Sequence, residues 1–266
     1  MRRDSSPDFI EAIARGLDVI RGFDANRPVM SLSEVAVASG LPRPTARRIL
    51  ITLEQLGYVR SSDDGFTLTP RVIELGMAYI GSMSIWDVVR PSLADLVRQT
   101  NESSSVAQLD GSDVVYVARV AVPKLVTLSV TIGTRFPALS TSLGKVLLAA
   151  LTPEELDRTL ELPTRSGLVP RWQPDRDEID AALNVVRERG WAITDEQLAR
   201  GIRSVATAVR DGDGRTVAAV NVNSNSAETS IETLTGHHLP LLLACADAIS
   251  SDWIAWHSRP LQVISE

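Results

Sequence analysis

The sequence predicts a two-domain α+β protein, in which a small N-terminal winged helix-turn-helix precedes a larger domain of mixed strands and helices. Two observations support this fold class. Three short helical patterns and a hairpin signal fill the first 70 residues, and after residue 84 strand hairpins alternate with helices. Hairpins mixed with packed helices are typical of α+β domains with a mostly antiparallel sheet. A chain of 266 residues is long enough for both domains.

The domain boundaries follow from breaks in these patterns. The helix-turn-helix and its wing are expected at residues 8–70. A linker helix is expected over 71–83, where "RVIELGMAYIGSM" leads out of the first unit. The pattern starts afresh after that helix, so we place the second domain at 84–258 and a tail at 259–266.

The first two helices are predicted from apolar spacing and from capping residues. The first helix has apolar residues at helical spacing, namely Ile13, Leu17 and Ile20. Ser31 and Glu34 stand in the spacing of a capping box, and Gly40 is a suitable C-terminal stop. These signals predict a short second helix over about 32–39.

The third helix and the hairpin after it complete the motif. The helix has apolar residues at i, i+3, i+4 and i+7 spacing, namely Ala46, Ile49, Leu50, Leu53 and Leu56. Pro44 is compatible with the first turn, where a missing N–H breaks no intrahelical bond. Tyr58–Arg60 and Phe66–Leu68 alternate around Asp64–Gly65, which is a strong hairpin signal. Helix, helix, short turn, helix and hairpin is the order of a winged helix-turn-helix.

Positive charge is concentrated on the third helix, although the chain as a whole has a net charge of −6. Residues 1–80 are balanced, with 10 basic and 10 acidic residues, so the acidic excess belongs to residues 81–266. Guanidinium and small polar groups suit phosphates and guanine edges, whereas a solvated charged face is the simpler alternative. The motif order favours DNA binding. The residues expected to contact DNA are Arg43, Pro44, Thr45, Arg47, Arg48, Thr52 and, on the wing, Arg60.

Composition argues against several other classes of protein. The single cysteine, Cys245, permits no intrachain disulfide and indicates a cytoplasmic location. Three histidines, two of them adjacent, do not suit a zinc site, so we predict no metal site. We also predict no cofactor and no catalytic residues. The C-terminal apolar run Leu239–Ala246 is much shorter than the roughly 20 residues that span a bilayer. We therefore expect no membrane span.

The stretch "STSLGKVLL", residues 140–148, is close to two catalytic motifs and matches neither. A P-loop would need glycine where Leu139 stands and serine or threonine where Val146 stands. Ser142 and Lys145 have the S-x-x-K spacing of serine acyl enzymes, but the K-T-G partner motif is missing. The better interpretation is a helix start, whose free backbone N–H groups suit an anion.

A further candidate is the predicted strand "VNVNSN", in which Asn221 and Asn223 share one face. Two asparagines on an inward face cost free energy unless something hydrogen-bonds them, so a polar small molecule would be a natural partner. A solvent-facing strand edge is an equally simple alternative at this point.

The pattern over residues 9–257 resembles the IclR family of transcriptional regulators. Three stretches support the resemblance: "LSEVAVASGLPRPTARRILITLEQLGYV", "GTRFPALSTSLGKVLLA" and "ARGIRSVATAVRDGDGRTVAAVNV". The opening "FIEAIARGLDVIRGFD" is similar to the subgroup that controls the protocatechuate and β-ketoadipate pathway. The resemblance implies a winged helix-turn-helix, a linker helix and a GAF-like effector domain. It also implies dimers or tetramers on a double-stranded DNA operator.

The resemblance further implies where a small organic acid, either an aromatic acid or a dicarboxylate, would bind. Polar effector positions of the family fall on Thr194, Ser204, Asn221 and Asn223, with backbone groups offered by Ser142 and Leu143. Family members with very small acid ligands have aspartate, cysteine and serines at the first four positions, so the present set agrees with a larger effector. Arg135 or Arg203 is a candidate partner for the carboxylate, although either arginine would also serve as a structural partner.

Two rival functions stay open at the level of sequence. One is a metabolic enzyme with a dispensable N-terminal unit, for which we find no nucleophile–base pair and no metal set. The other is a ligand-sensing module that contacts protein partners and not DNA. Deletion of residues 1–80 would distinguish this module from a regulator, because a pure sensor would keep its activity.

Overall fold

A computed structural model describes residues 8–24, 26–76, 85–123 and 130–258, with the side chains of 85–88 left out. The chain divides into two compact units, Met1–Met83 and Ser84–Glu266. Each unit has its own core of buried apolar side chains.

The described residues between 8 and 70 contain three helices and a three-stranded antiparallel sheet. The elements are α1 (Glu11–Arg21), β1 (Val29–Met30), α2 (Leu32–Ser39), α3 (Arg43–Gln55), β2 (Val59–Ser62) and β3 (Gly65–Leu68). The strand order is β1-β3-β2. The strands β2 and β3 form the expected hairpin, and β1 pairs with the other edge of β3. β1 was not predicted, because a strand of two residues is too short to show an alternating pattern.

The second and third helices begin and end where the capping residues stand. The Ser31 hydroxyl accepts the Glu34 N–H, and the Glu34 carboxylate accepts the Ser31 N–H at 2.8 Å, which is a complete capping box. Gly40 ends α2 in the left-handed region at φ 64°, where a side chain would be strained. Pro44 lies in the first turn of α3.

The apolar residues of α1 do not all contribute to the core of this unit. Val19 is fully buried and Phe23 nearly so, whereas Ile13 and Leu17 remain 59% and 50% exposed. Ile13 and Leu17 instead line an apolar groove of about 720 Å³ between α1 and α3, and the half-exposed Leu56 lies in the same groove. Helical spacing alone does not tell which of two apolar stripes on a short helix faces the core.

Parts of three sequence predictions lie outside the described residues. Residues 72–76 are helical, and the remainder of the proposed linker helix, 77–83, is not described. The tail 259–266 is not described either. The stretch "LVTLSVTIG" also predicts a strand over 125–133; of this range only 130–133 is described, and these residues form a turn before Arg135.

The C-terminal unit contains a six-stranded antiparallel sheet of order β6-β5-β4-β9-β8-β7. Its strands are β4 (Ser103–Asp110), β5 (Asp113–Val120), β6 (Arg135–Pro137), β7 (Trp191–Asp195), β8 (Ile202–Arg210) and β9 (Thr216–Asn225). Its helices are α4 (Ile85–Thr100), α5 (Ser142–Ala149), α6 (Pro153–Leu160), α7 (Arg176–Arg189) and α8 (Leu239–His257).

The two faces of this sheet are covered by different helices. Ala107, Ala206 and Ala219 form one core with Leu143 and Leu147 of α5, so they define the α5 face. Alternate residues of the same strands, among them Val205 and Val222, are fully buried on the opposite face. The helix α8 packs against β8 and α4.

The C-terminal helical segment Ile231–His257 is long and apolar enough to cross a membrane by length and composition. Leu242, Ala246 and Ile249 on this segment are buried inside the domain. The apolar composition is therefore explained by packing in the domain core.

Candidate functional site

The outer surface of α3 presents three arginines without acidic partners. Arg43, Arg47 and Arg48 are exposed, and none of them forms an ion pair with another described residue. Ala46, Leu50 and Leu53 occupy the opposite side of the helix and are buried. Unpaired guanidinium groups on an exposed helix are available to phosphates.

The remaining candidates for DNA contact lie around this surface. Pro44 and Thr52 are exposed and Thr45 is half-buried; both threonines, together with Arg48, line the groove beside α1. Arg60 is exposed on β2. The seven residues therefore surround the outer half of α3 and the wing, and they do not form one straight stripe.

A carboxylate ties the wing to α3. Glu54 accepts hydrogen bonds from the backbone N–H of Ser61 at 3.0 Å and from the Ser61 hydroxyl. These bonds lower the pKa of the Glu54 carboxyl. The contact links β2, the strand that carries Arg60, to the helix that carries the three arginines.

The polar residues expected in an effector site share the α5 face of the larger sheet. The pairing register places Thr194 opposite Ser204, and Ser204 opposite Asn223. Asn221 lies two residues before Asn223 on β9 and so faces the same side. Because β9 is central and Asn221 is buried, the alternative of a solvent-facing strand edge is wrong.

Several of these side chains are linked by hydrogen bonds across the sheet. The hydroxyls of Ser142 and Ser204 are bonded at 2.7 Å, and the Asn221 side-chain amide donates to the Ser204 hydroxyl at 3.1 Å. The Asn221 side-chain oxygen accepts the backbone N–H of Ser105 at 3.0 Å. The cluster therefore connects α5 with β8, β9 and β4.

The helix start expected at "STSLGKVLL" is present as α5. Thr141 caps it by accepting the Gly144 N–H at 2.9 Å, and Ser142 and Leu143 are buried in its first turn. A Cβ at Gly144 would lie 2.1 Å from the carbonyl oxygen of Ala138, so only glycine permits this close approach. The glycine thereby holds the first turn of α5 over the polar face.

Some polar groups on this face have no protein partner. Thr194 is buried, yet its hydroxyl makes no hydrogen bond to the described residues. The half-buried Asn223 side chain likewise has no hydrogen bond in the described part of the chain. Both flank Ser204, whose own bonds are complete, so they are the free neutral groups of the face.

The two arginines considered as carboxylate partners, Arg135 and Arg203, already form ion pairs with aspartates of this domain. Arg135 pairs with Asp110 at 2.6 Å and with the buried Asp113 at 3.3 Å. Arg203 makes two hydrogen bonds to Asp195, at 2.8 and 3.0 Å, and one to the carbonyl of Thr229. Their strand neighbours Phe136 and Ser204 face α5, so both arginines point to the other side of the sheet. These ion pairs agree with the alternative of a structural role for both arginines, and a contact of either with the effector stays a prediction.

Sequence reasoning missed two residues on the polar face, Ser105 and Arg119. They are paired with each other in the register of β4 and β5, and Ser105 is paired with Asn221. Nothing marked them in advance, because "SSVAQLD" and "YVARV" both read as ordinary strands. Only the pairing of β4 with β9 brings them beside Asn221.

Two other titratable groups are shifted by burial outside this cluster. Desolvation, with a smaller effect from Arg189, lowers the pKa of Lys145 to about 8; its ammonium donates to Gln197 at 2.6 Å and lies over the Trp172 ring. Burial raises the pKa of Cys245 to about 12, which leaves the thiol unreactive. No cluster of three metal-ligating side chains occurs among the described residues.

These two units define a class of protein: a DNA-binding winged helix-turn-helix joined to a domain with a polar small-molecule site. The comparisons with known proteins give the family. The model for the IclR helix-turn-helix domain matches residues 12–63, and that for the bacterial transcriptional regulator IclR C-terminal region matches residues 77–251. The chain belongs to the IclR family of bacterial transcriptional regulators.

Individual relatives agree with this family. The Pca regulon regulatory protein of Pseudomonas putida is 34% identical over 241 residues, which cover 90% of this chain and 83% of that protein. A Rhodococcus sp. RHA1 structure, assigned as a transcriptional regulator, is 46% identical with a TM-score of 0.77 and covers 92% of this chain and 98% of that one.

A third comparison is a ligand complex. The inducer-binding domain of the PobR transcription factor from Acinetobacter, a double mutant solved with 3-hydroxybenzoic acid, is 30% identical with a TM-score of 0.56. It covers 62% of this chain and 96% of that chain.

Proposed function

We propose that this transcriptional regulator binds its operator through α3 and the wing, and that an aromatic acid bound on the polar face of the C-terminal sheet alters that binding. The observation that carries the proposal is the set of polar groups on the α5 face of the sheet, of which the buried Thr194 and the half-buried Asn223 make no side-chain hydrogen bond to the described residues. Buried polar groups without hydrogen bonds are costly, so a ligand that bonds them binds favourably.

The relatives support the choice of effector class. One carries the name of a pca regulon regulator, and another was solved with a hydroxybenzoic acid. A small hydroxylated aromatic acid fits neutral polar groups better than a metal or a phosphate ester does. We place this activity in the cytoplasm, where operator DNA is accessible.

The geometry of DNA recognition by a helix-turn-helix indicates the oligomeric state of the DNA-bound protein. A helix-turn-helix reads one half-site, and two half-sites about 34–36 Å apart require two copies of the recognition helix. We therefore propose a homodimer or a homotetramer of this chain as the DNA-bound form.

The test is a binding titration with the full chain. Fluorescence anisotropy of labelled DNA from the region upstream of its own gene is measured with and without protocatechuate or 4-hydroxybenzoate. The proposal predicts salt-sensitive binding to this DNA and a change of affinity when an acid is added. Binding that is indifferent to both acids, when calorimetry also detects no complex with either, would contradict it.

A further inference from the structure

The distribution of charge on the polar face is uneven. Most side chains are neutral, and one is cationic: Arg119, on β5. The register pairs Arg119 with Ser105 and Ser105 with Asn221, so its side chain lies on the same face as the serine and asparagine cluster. A guanidinium is therefore built into one end of this site.

The hydrogen bonds of Arg119 are incomplete. One terminal nitrogen donates to the Ser105 hydroxyl at 2.9 Å. The Nε atom is buried and has no hydrogen-bond partner. No carboxylate among the described residues forms an ion pair with Arg119. Burial without a counter-ion lowers the pKa of Arg119.

Two other arginines of this sheet have the acidic partner that Arg119 lacks among the described residues. Arg135 and Arg203 are both partly buried, and each is neutralised by aspartate oxygens. Arg119 has only a neutral hydroxyl. Because a buried charge is stable only when it is paired, Arg119 is the arginine of this domain that an anionic ligand would neutralise.

The geometry of a guanidinium specifies the anion. Its nitrogens form a planar fork that holds a carboxylate through two parallel bonds. The free Nε and a terminal nitrogen can supply such a pair at Arg119. The neutral groups without partners, Thr194 and Asn223, lie on β7 and β9. Asn223 is two strands from Arg119, next to Asn221 on the same face of β9, whereas Thr194 is four strands from Arg119.

We infer that Arg119 is the carboxylate-binding residue of the effector site, and that Asn223 on β9 binds the hydroxyl at the opposite end of the effector. This inference rests on the proposed effector function. The strands β5 and β9 are two strand spacings apart, about 10 Å. That gap suits an acid whose hydroxyl and carboxylate stand at opposite ends of one ring.

The test is isothermal calorimetry on the full chain with acid and amide pairs. The probes are 4-hydroxybenzoate and protocatechuate, each beside its carboxamide, and the proteins are wild type, Arg119→Gln and Arg119→Lys. Arg158→Gln is the matched control, because this exposed arginine on α6 bonds the Glu154 carbonyl and lies outside the site.

We expect wild type to bind the acid about 10- to 100-fold more tightly than its amide, as one lost charge-assisted pair implies. Arg119→Gln should bind the acid more weakly by the same factor and should lose the preference for acid over amide. Arg119→Lys should retain part of that preference, and Arg158→Gln should retain all of it.

Two different failures are distinguishable. If wild type binds an acid and Arg119→Gln keeps the full acid-over-amide preference, Arg119 is not the carboxylate residue, whereas the proposed function stands. If wild type binds none of the four probes, the aromatic-acid function itself is overturned, together with this inference. Should Arg119→Gln fail to fold, equal wild-type affinity for acid and amide would overturn the inference alone.

Discussion

The outer surface of α3 and the polar face under α5 are both suited to anions, and they are built in opposite ways. On α3, Arg43, Arg47 and Arg48 are exposed cations without acidic partners. Under α5, neutral hydroxyl and amide groups are buried around one arginine. Exposed cations bind a polyanion through long-range, salt-screened attraction. Buried groups bind a small acid through a few short hydrogen bonds. Binding on the polar face should therefore depend on the positions of these groups and be specific for one acid, and it should depend little on charge density.

The largest effect should come from removing the exposed cations. Arg47→Ala combined with Arg48→Ala should weaken operator binding by at least about 30-fold, since each arginine contact is worth roughly 1–3 kcal/mol. The slope of log affinity against log salt should also become shallower, by about one for each lost phosphate contact. Anisotropy titrations at several salt concentrations measure both. Unchanged affinity in the double variant would show that α3 is not the recognition helix.

The polar face should respond in the opposite manner, with the effector response lost and DNA binding kept. Asn223→Ala removes an amide that makes no hydrogen bond to the described residues, so stability should change by less than about 0.5 kcal/mol. The effect of protocatechuate or 4-hydroxybenzoate on operator affinity should disappear. A wild-type response in this variant, and also in the Asn221→Ala and Asn223→Ala double variant, would place the pocket elsewhere.

Asn221→Ala is the matched comparison for stability. This change leaves the Ser105 N–H without its acceptor and removes a donor to Ser204. A buried group left without its partner costs about 1–3 kcal/mol. Thermal unfolding should therefore show a midpoint several degrees lower than that of Asn223→Ala. Equal midpoints would mean that the hydrogen bonds of Asn221 contribute little to the fold.

The smallest effect concerns Lys145, a second cation held by neutral groups. Burial lowers its pKa from 10.5 to about 8, so between these values the unfolded chain binds more protons than the folded one. The free energy of unfolding should rise with pH across that window because of this group. Lys145→Met keeps the apolar stem and should abolish that rise between pH 8 and 10, measured by urea unfolding. A slope identical to wild type would contradict the assignment.

The contrast between the two regions also explains what sequence could predict. The α2 boundaries and Pro44 in the first turn of α3 agree with the structure because caps and first-turn prolines act locally. Helical spacing predicts α1 but not its buried side, because Ile13 and Leu17 form a second apolar stripe whose orientation depends on packing.

On the larger sheet, alternation along one strand placed Asn221 and Asn223 on a common face. The partners of that face depend on which strands pair. Ser105 and Arg119 come beside Asn221 through a contact between β4 and β9 that spans more than 100 residues of sequence. Arg135 and Arg203 lie on the opposite face because they alternate along their strands with Phe136 and Ser204. A motif in one segment carries no information about such a pairing.

The central claim is that ligand binding on the polar face is coupled to DNA binding by α3. The most direct measurement is the ratio of operator affinities of the full chain with and without a saturating aromatic acid, determined in parallel for wild type and Asn223→Ala. Coupling of the usual size predicts that the acid changes the operator affinity of wild type by about 5- to 150-fold. In Asn223→Ala the acid should leave the operator affinity unchanged. A wild-type ratio of one, with the acid shown by calorimetry to be bound, would contradict the claim.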